Sequence, residues 1–307
     1  MPTAEPSLRD EYAAAVERVA GRTLDALRGA GGAVALAPVL GPEPGPELAS
    51  APGPEPASGP GGAASGAVEP PRSLLAALRV VGPDLFAPQL LGGAAPDEPT
   101  ALLLAQAHRV FPPMAAARAG QGTGAPDGNA VVAAWRDWAA GVLLVRALGA
   151  GPGSADPPFG VDPPVDGAAG SAERSVTEPA PAPAPAPAAV PGHAAWPDPA
   201  AWQAWSIRMA QLSALALPGL DGAVHRTARA HPLALARGAV RSMLRRDHRA
   251  AARLARWLAW SRAQGIALPL DVEPIIARIR VVSDGSARTA LELAIAEALL
   301  DTAGERA

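Results

Sequence analysis

The residues best able to do chemistry in this chain are arginines. Arg237, Arg241, Arg245, Arg249 and Arg253 recur at intervals of four. On one continuous helix they would form a stripe that winds around it by about 40° per step. Between His225 and Arg262 there are ten Arg and a single acid, Asp247. Such a face has two uses. It can neutralise nucleic-acid phosphates, with Trp257 or Trp260 nearby to stack on bases. Alternatively it is a solvated surface balanced by acids of the same fold. Glu297, Asp301 and Glu305, spaced by four near the end of the chain, are the natural counter-charges for the second use. The five arginines are the candidate interaction surface.

Other chemistries find little support in the residue inventory. There is no Cys, which removes disulfides, thiolate catalysis and Cys-ligated metal. All 26 basic residues are Arg, so Schiff-base chemistry and a Walker-type phosphate loop are excluded with the missing Lys. Histidines 108, 193, 225, 231 and 248 show no ligand spacing, and no metal is expected. Residues 120–124 (GQGTG) imitate a phosphate-binding loop, but no strand precedes them. Asp137 and Glu292 are carboxylates that folding could pair, yet nothing in the linear order singles them out. No Ser/His/Asp set is identifiable either. The expectation is a protein without catalytic residues, cofactor or identifiable small-molecule ligand.

The elements that must carry the arginines are helices. Six of the seven Trp come in pairs three apart: Trp135 and Trp138, Trp202 and Trp205, Trp257 and Trp260. That spacing places both indoles on one helix face, and each pair falls on or beside an apolar seam, so the pairs read as core. The lone Trp196 reads as a staple holding the preceding tract onto the next helix. Helical periodicity with caps marks residues 7–28 (Ser7), 73–81, a stretch after Asp97, one from about Asn129, and one from Asp198 to Leu215. It continues after Pro232, after Asp247, from Asp271 and after Ser286. No alternating strand pattern appears. Residues 41–71 and 150–197 are instead dense in Pro, Gly and Ala, and read as disordered linkers.

Charge follows this division. Residues 1–71 net −5, 72–150 net +1, 151–198 net −5 and 199–307 net +6. A basic C-terminal block therefore lies beside acidic linkers. The hairpin over residues 233–264 resembles one tetratricopeptide unit across about 30 residues, with small residues at its crossing. It lacks that family's Trp, Gly and Tyr positions, and no second copy follows.

The resulting expectation is an all-α chain with two small helical modules, residues 72–149 and 198–304, separated by long linkers. The second is an irregular bundle or short α-solenoid-like array, and residues 7–29 form a tethered amphipathic helix. A helix of that length is marginal alone, so it must dock on its own chain or on a partner. No transmembrane segment stands out, since the apolar run near Val142 is cut by Arg146. With no basic, apolar leader, the cytoplasm is the expected location and no membrane partner is expected. The leading functional expectation is a protein–protein scaffold or adaptor, with nucleic-acid binding through residues 225–262 as the alternative and an enzyme of unrecognised type third.

Overall fold

Helix starts are written locally in this chain, and the computed structural model shows how far each local signal carries. It describes residues 7–29, 70–112, 128–149 and 198–304. The proline-rich tracts, the 120–124 motif and Trp196 lie outside the described residues, and with them the linker and staple expectations. Among the described residues there is no strand, and the chain is all-α.

Ser7 caps α1 (Leu8–Leu27), its Oγ accepting the Asp10 N–H at 3.3 Å. After α2 (Arg72–Val81), Gly82 takes φ 59° and the chain tightens into a 3-10 turn, Gly82–Phe86, before the short α3 (Ala87–Leu91). Asp97 caps α4 (Glu98–Val110) through the Thr100 N–H at 2.9 Å. α5 spans Gly128–Leu148. Asp198 caps only a turn, accepting the Ala200 N–H at 2.8 Å, so α6 (Trp202–Gln211) starts later than its periodicity suggests. It also stops early, because a 3-10 turn, Ser213–Leu215, replaces its last stretch. α7 (Ala223–Ala230) had no signal beyond eight residues of mixed polarity. α8 (Pro232–Leu244) opens on its proline, and α9 (His248–Ala263) on the Asp247 cap, which accepts the Ala250 N–H at 3.0 Å. α10 (Glu273–Val282) and α11 (Ala287–Gly304) complete the chain.

The sequence left open whether the segments before and after residues 150–197 meet. They share one apolar core that runs from Ala15 in α1 to Leu299 in α11. An aromatic chain crosses it. Trp138 of α5 lies 6.4 Å from His225 of α7, which lies 5.6 and 5.2 Å from Trp257 and Trp260 of α9. The Trp257 indole N–H donates to the Met209 carbonyl at 2.8 Å, so this indole meets its polar need inside the core.

The tethered helix docks on its own chain. α1 packs against α2 and α11, and Glu17 accepts the Ala287 and Arg288 N–H groups at 2.7 and 3.4 Å, capping α11. Its buried line is Ala15, Val19, Ala20, Thr23 and Leu24, while Tyr12, Val16 and Leu27 are only half-buried. Small residues face inward because they allow the close approach that packing against two helices requires.

The helical run Arg72–Leu91 has 20 residues, and an 18-residue window in it has a mean hydropathy of 1.4, long and apolar enough to cross a membrane by length and composition. The Gly82-Pro83 step hides it from a reading of the sequence. Here 56% of that window is buried inside the fold, where Leu75, Leu78, Leu85 and Phe86 are core residues.

Candidate interaction surface

The arginine stripe is cut at the α8–α9 turn. Arg246 takes φ 60° there, and the Asp247 N–H returns to the Ser242 carbonyl at 2.9 Å, ending α8. Its five members therefore meet different surroundings. Arg237, Arg245 and Arg249 are exposed. Arg241 is half-buried, its guanidinium 5.6 Å from the Trp202 ring centroid. Arg253 turns inward, with Nε 3.5 Å from Glu292 Oε1. The acids expected to balance the stripe are placed elsewhere: Glu297 pairs with Arg280 of α10, and Asp301 lines a small cavity beside that pair. Glu305 lies outside the described residues.

The inner end of α9 holds a group that sequence reasoning missed. Arg256 is fully buried. Its Nη2 donates to Asp84 Oδ1 at 2.7 Å, its Nη1 to Glu292 Oε2 at 3.0 Å and its Nε to the Ala216 carbonyl at 3.2 Å. Ser213 Oγ donates to Glu292 Oε1 at 2.8 Å. Both 3-10 turns thus exist where the network needs them, one delivering Asp84 and the other Ser213 and the Ala216 carbonyl. Burial acts to lower the Arg256 pKa, but the Asp84 and Glu292 carboxylates outweigh it and hold the guanidinium above its ordinary value. Burial likewise acts to raise Glu292, and Arg256 and Arg253 outweigh that, keeping it ionised below the usual carboxylate range.

Further guanidinium groups crowd this interior. Arg136 of α5 donates to the Val80 carbonyl, and burial lowers its pKa against the pull of Asp84. Arg288 is lowered to about 10 by burial and then by Arg253 and Arg249. Asp137 pairs with Arg79. The two carboxylates named from sequence are therefore held by different arginines rather than facing each other. Glu292, held ionised by its arginines, is a poor general acid or base. His225 is lowered to about 4 by burial, with Nε2 2.9 Å from the Leu215 carbonyl. Among the described residues no cluster of three or more His, Asp or Glu is placed to hold a metal.

The outer face of α8 is different in kind. Leu233, Val240 and Leu244 are 49%, 42% and 80% exposed. With Arg237 they occupy positions i, i+4, i+7 and i+11, one helix face. Beside them runs a groove of about 600 Å³, floored by Trp202, Ala236 and Leu270 and flanked by Arg237 and Arg241. Trp202 was expected in the core. It stands on the first turn of α6 and borders this groove, whereas its mate Trp205, three residues on, is fully buried. Trp135, Trp138, Trp257 and Trp260 are core residues, as their spacing suggested. A signal for the groove was present in the sequence: α8 carries leucine and valine on a face away from its Leu235 and Ala239 core line.

No protein-family model, curated protein or solved structure matches the chain.

Proposed function

We propose that this protein is a non-enzymatic adaptor that uses the α6–α8 groove to dock an acidic, amphipathic helical segment of another protein. One observation carries the reading. An apolar stripe (Leu233, Val240, Leu244) lies beside Trp202 and between Arg237 and Arg241, and no carboxylate lines the groove. Leu233 to Leu244 spans about 16 Å along the helix, which matches three turns of a partner helix. Exposed apolar groups of this kind gain from burial, while the arginine rim selects for Asp or Glu beside the partner's apolar anchors. The cytoplasm remains the location we propose for this activity.

A display library of amphipathic helices, selected on the full chain, tests the reading. The enriched sequences should combine Leu, Phe or Met at i, i+4 and i+7 with flanking acids, and Val240→Asp should abolish their binding. Enrichment of basic or neutral sequences, or binding indifferent to Val240→Asp, would overturn it. Concentration-dependent self-association lost in Val240→Asp would instead assign the face to a second copy of this chain.

A further inference from the structure

Next to the apolar groove, on the other side of Arg241, lies a smaller cavity of about 270 Å³ between α6, α8 and α9. It is lined by Arg241, Arg245 and Arg253 together with Ser206, Ser242 and Gln211. Its single carboxylate, Asp247, already accepts the Ala250 N–H as the cap of α9. Three arginines from two helices thus line one small chamber together with hydroxyl and amide side chains.

Two of the three are held in position from outside it. Arg241 rests over the Trp202 ring at 5.6 Å, and Arg253 is drawn to Glu292 at 3.5 Å. The chamber is also tightly built: a Cβ on Gly238 would lie 2.5 Å from Ser206 Cβ, so α6 and α8 approach as closely as glycine allows. The α8–α9 turn at its edge, with Arg246 at φ 60°, brings Arg245 and Arg253 of consecutive helices to the same chamber.

The choice of Arg over Lys carries no weight in a chain without Lys. Number and convergence do. A carboxylate has two oxygens and is satisfied by one guanidinium fork, whereas a phosphomonoester presents three free oxygens and close to two negative charges. Arginine clusters beside an apolar peptide groove are one way that phosphorylated segments are read.

We infer that this chamber receives a phosphomonoester on a phosphorylated side chain of the segment that docks in the adjoining groove. Arg241 borders both and couples them. The inference rests on the reading of the groove as a docking surface, and the two fail separately.

The test uses two degenerate peptide libraries that differ only in a central phosphoserine or serine, each flanked by leucine and glutamate. Binding to the full chain is read by fluorescence polarisation. The phosphoserine library should bind about tenfold more tightly or better, the scale of losing charged hydrogen bonds. Arg245→Gln and Ser242→Ala, made together at sites outside the buried network, should remove that preference while serine-peptide binding persists. Equal binding of the two libraries, or a preference untouched by the double change, overturns the inference. If binding is equal and still lost in Val240→Asp, the groove reading stands alone. If the phosphoserine preference persists in Val240→Asp, the chamber stands and the groove reading falls. Inorganic phosphate or duplex DNA competing as well as the phosphopeptide, mole for mole, would mean that the phosphate does not arrive on a docked segment, and would also overturn the inference.

Discussion

Arg256 and Arg245 lie on consecutive helices and carry the same group, yet one is sealed in the core and the other faces solvent. Around Arg256 each donor nitrogen has an acceptor, and the acceptors come from two 3-10 turns and α11. Around Arg245 the neighbours are other cations, hydroxyls and one carboxylate, Asp247, which is engaged in capping α9. Both regions draw on the same residue type because the chain has no other cation of high pKa. What separates them is the supply of carboxylates. Where Asp84 and Glu292 are delivered, arginine ties distant segments together. Where they are not, it remains available to a partner's charge. The comparison assigns structure to one end of the arginine series and recognition to the other, with Arg253 at the boundary.

The sharpest way to break that comparison is Arg256→Leu. It leaves Asp84 and Glu292 facing each other in the core without their shared cation. Removing one partner from a buried ion network costs about 3–5 kcal/mol, several times the cost of an exposed change. Chemical denaturation of the variant against the natural sequence reads this directly. A loss below about 1 kcal/mol would mean that water reaches the network and that the two arginine regions do not differ in kind.

Acid should separate the regions next. His225 and His108 have folded pKa values of about 4, from burial first and, for His108, then from Arg79. In the unfolded chain they titrate near about 6.5. Between those values the unfolded state binds more protons, so stability falls as pH drops from about 6.5 towards 4. The loss reaches at most ~3 kcal/mol for each histidine. Glu292, depressed when folded, adds its own loss at lower pH, as pH falls through its folded value. The exposed arginines contribute nothing in this window. Urea midpoints between pH 7 and 4.5 should therefore decline from near pH 6.5, and a flat profile down to pH 5 would contradict the burial of both rings.

How much of this was legible beforehand follows from the range of each interaction. The starts of α1, α4, α8, α9 and α11 were readable because Ser7, Asp97, Pro232, Asp247 and Ser286 act within one turn. The arginine series was visible, and the Asp247 cap marked where it is cut; that Arg253 turns inward depended on Glu292, far along the chain. The buried network was not readable. Asp84 lies 172 residues from Arg256 and follows Gly82-Pro83, where an acid looks like an ordinary turn residue. α7 was missed because it is short and its largest buried residue, His225, is polar and becomes core only through the Trp side chains around it. Trp202 and Trp205 share a spacing with the other pairs. Only the late start of α6 puts the first of them at the groove.

The turn between the regions offers a smaller test. Arg246→Gly relieves the left-handed backbone and should stabilise the protein by about 1 kcal/mol, since a side chain there opposes the conformation that glycine adopts freely. The same change should leave the preference for phosphopeptide nearly unaltered, because Arg246 is exposed and does not line the chamber. If stability falls instead, the Arg246 side chain contributes a contact to the fold and belongs with Arg256 rather than Arg245.

The smallest expected effect on stability is also the one that sharpens the comparison most. Arg237 and Arg245 are exposed, and among the described residues neither forms an ion pair with a carboxylate. Glutamine keeps helix propensity nearly constant, so Arg237→Gln with Arg245→Gln should leave the unfolding free energy within about 0.5 kcal/mol of the natural sequence. Removing two like charges from a basic helix surface even favours a slight gain, because their neighbours Arg241, Arg246 and Arg249 repel them. Association with an acidic helical peptide should respond more strongly, chiefly through a slower on-rate and a weaker dependence on salt. A variant that melts like the natural protein but loses salt-sensitive peptide binding fixes the function of this face. A variant that unfolds early would place Arg237 or Arg245 in a structural contact and collapse the distinction between the two arginine regions.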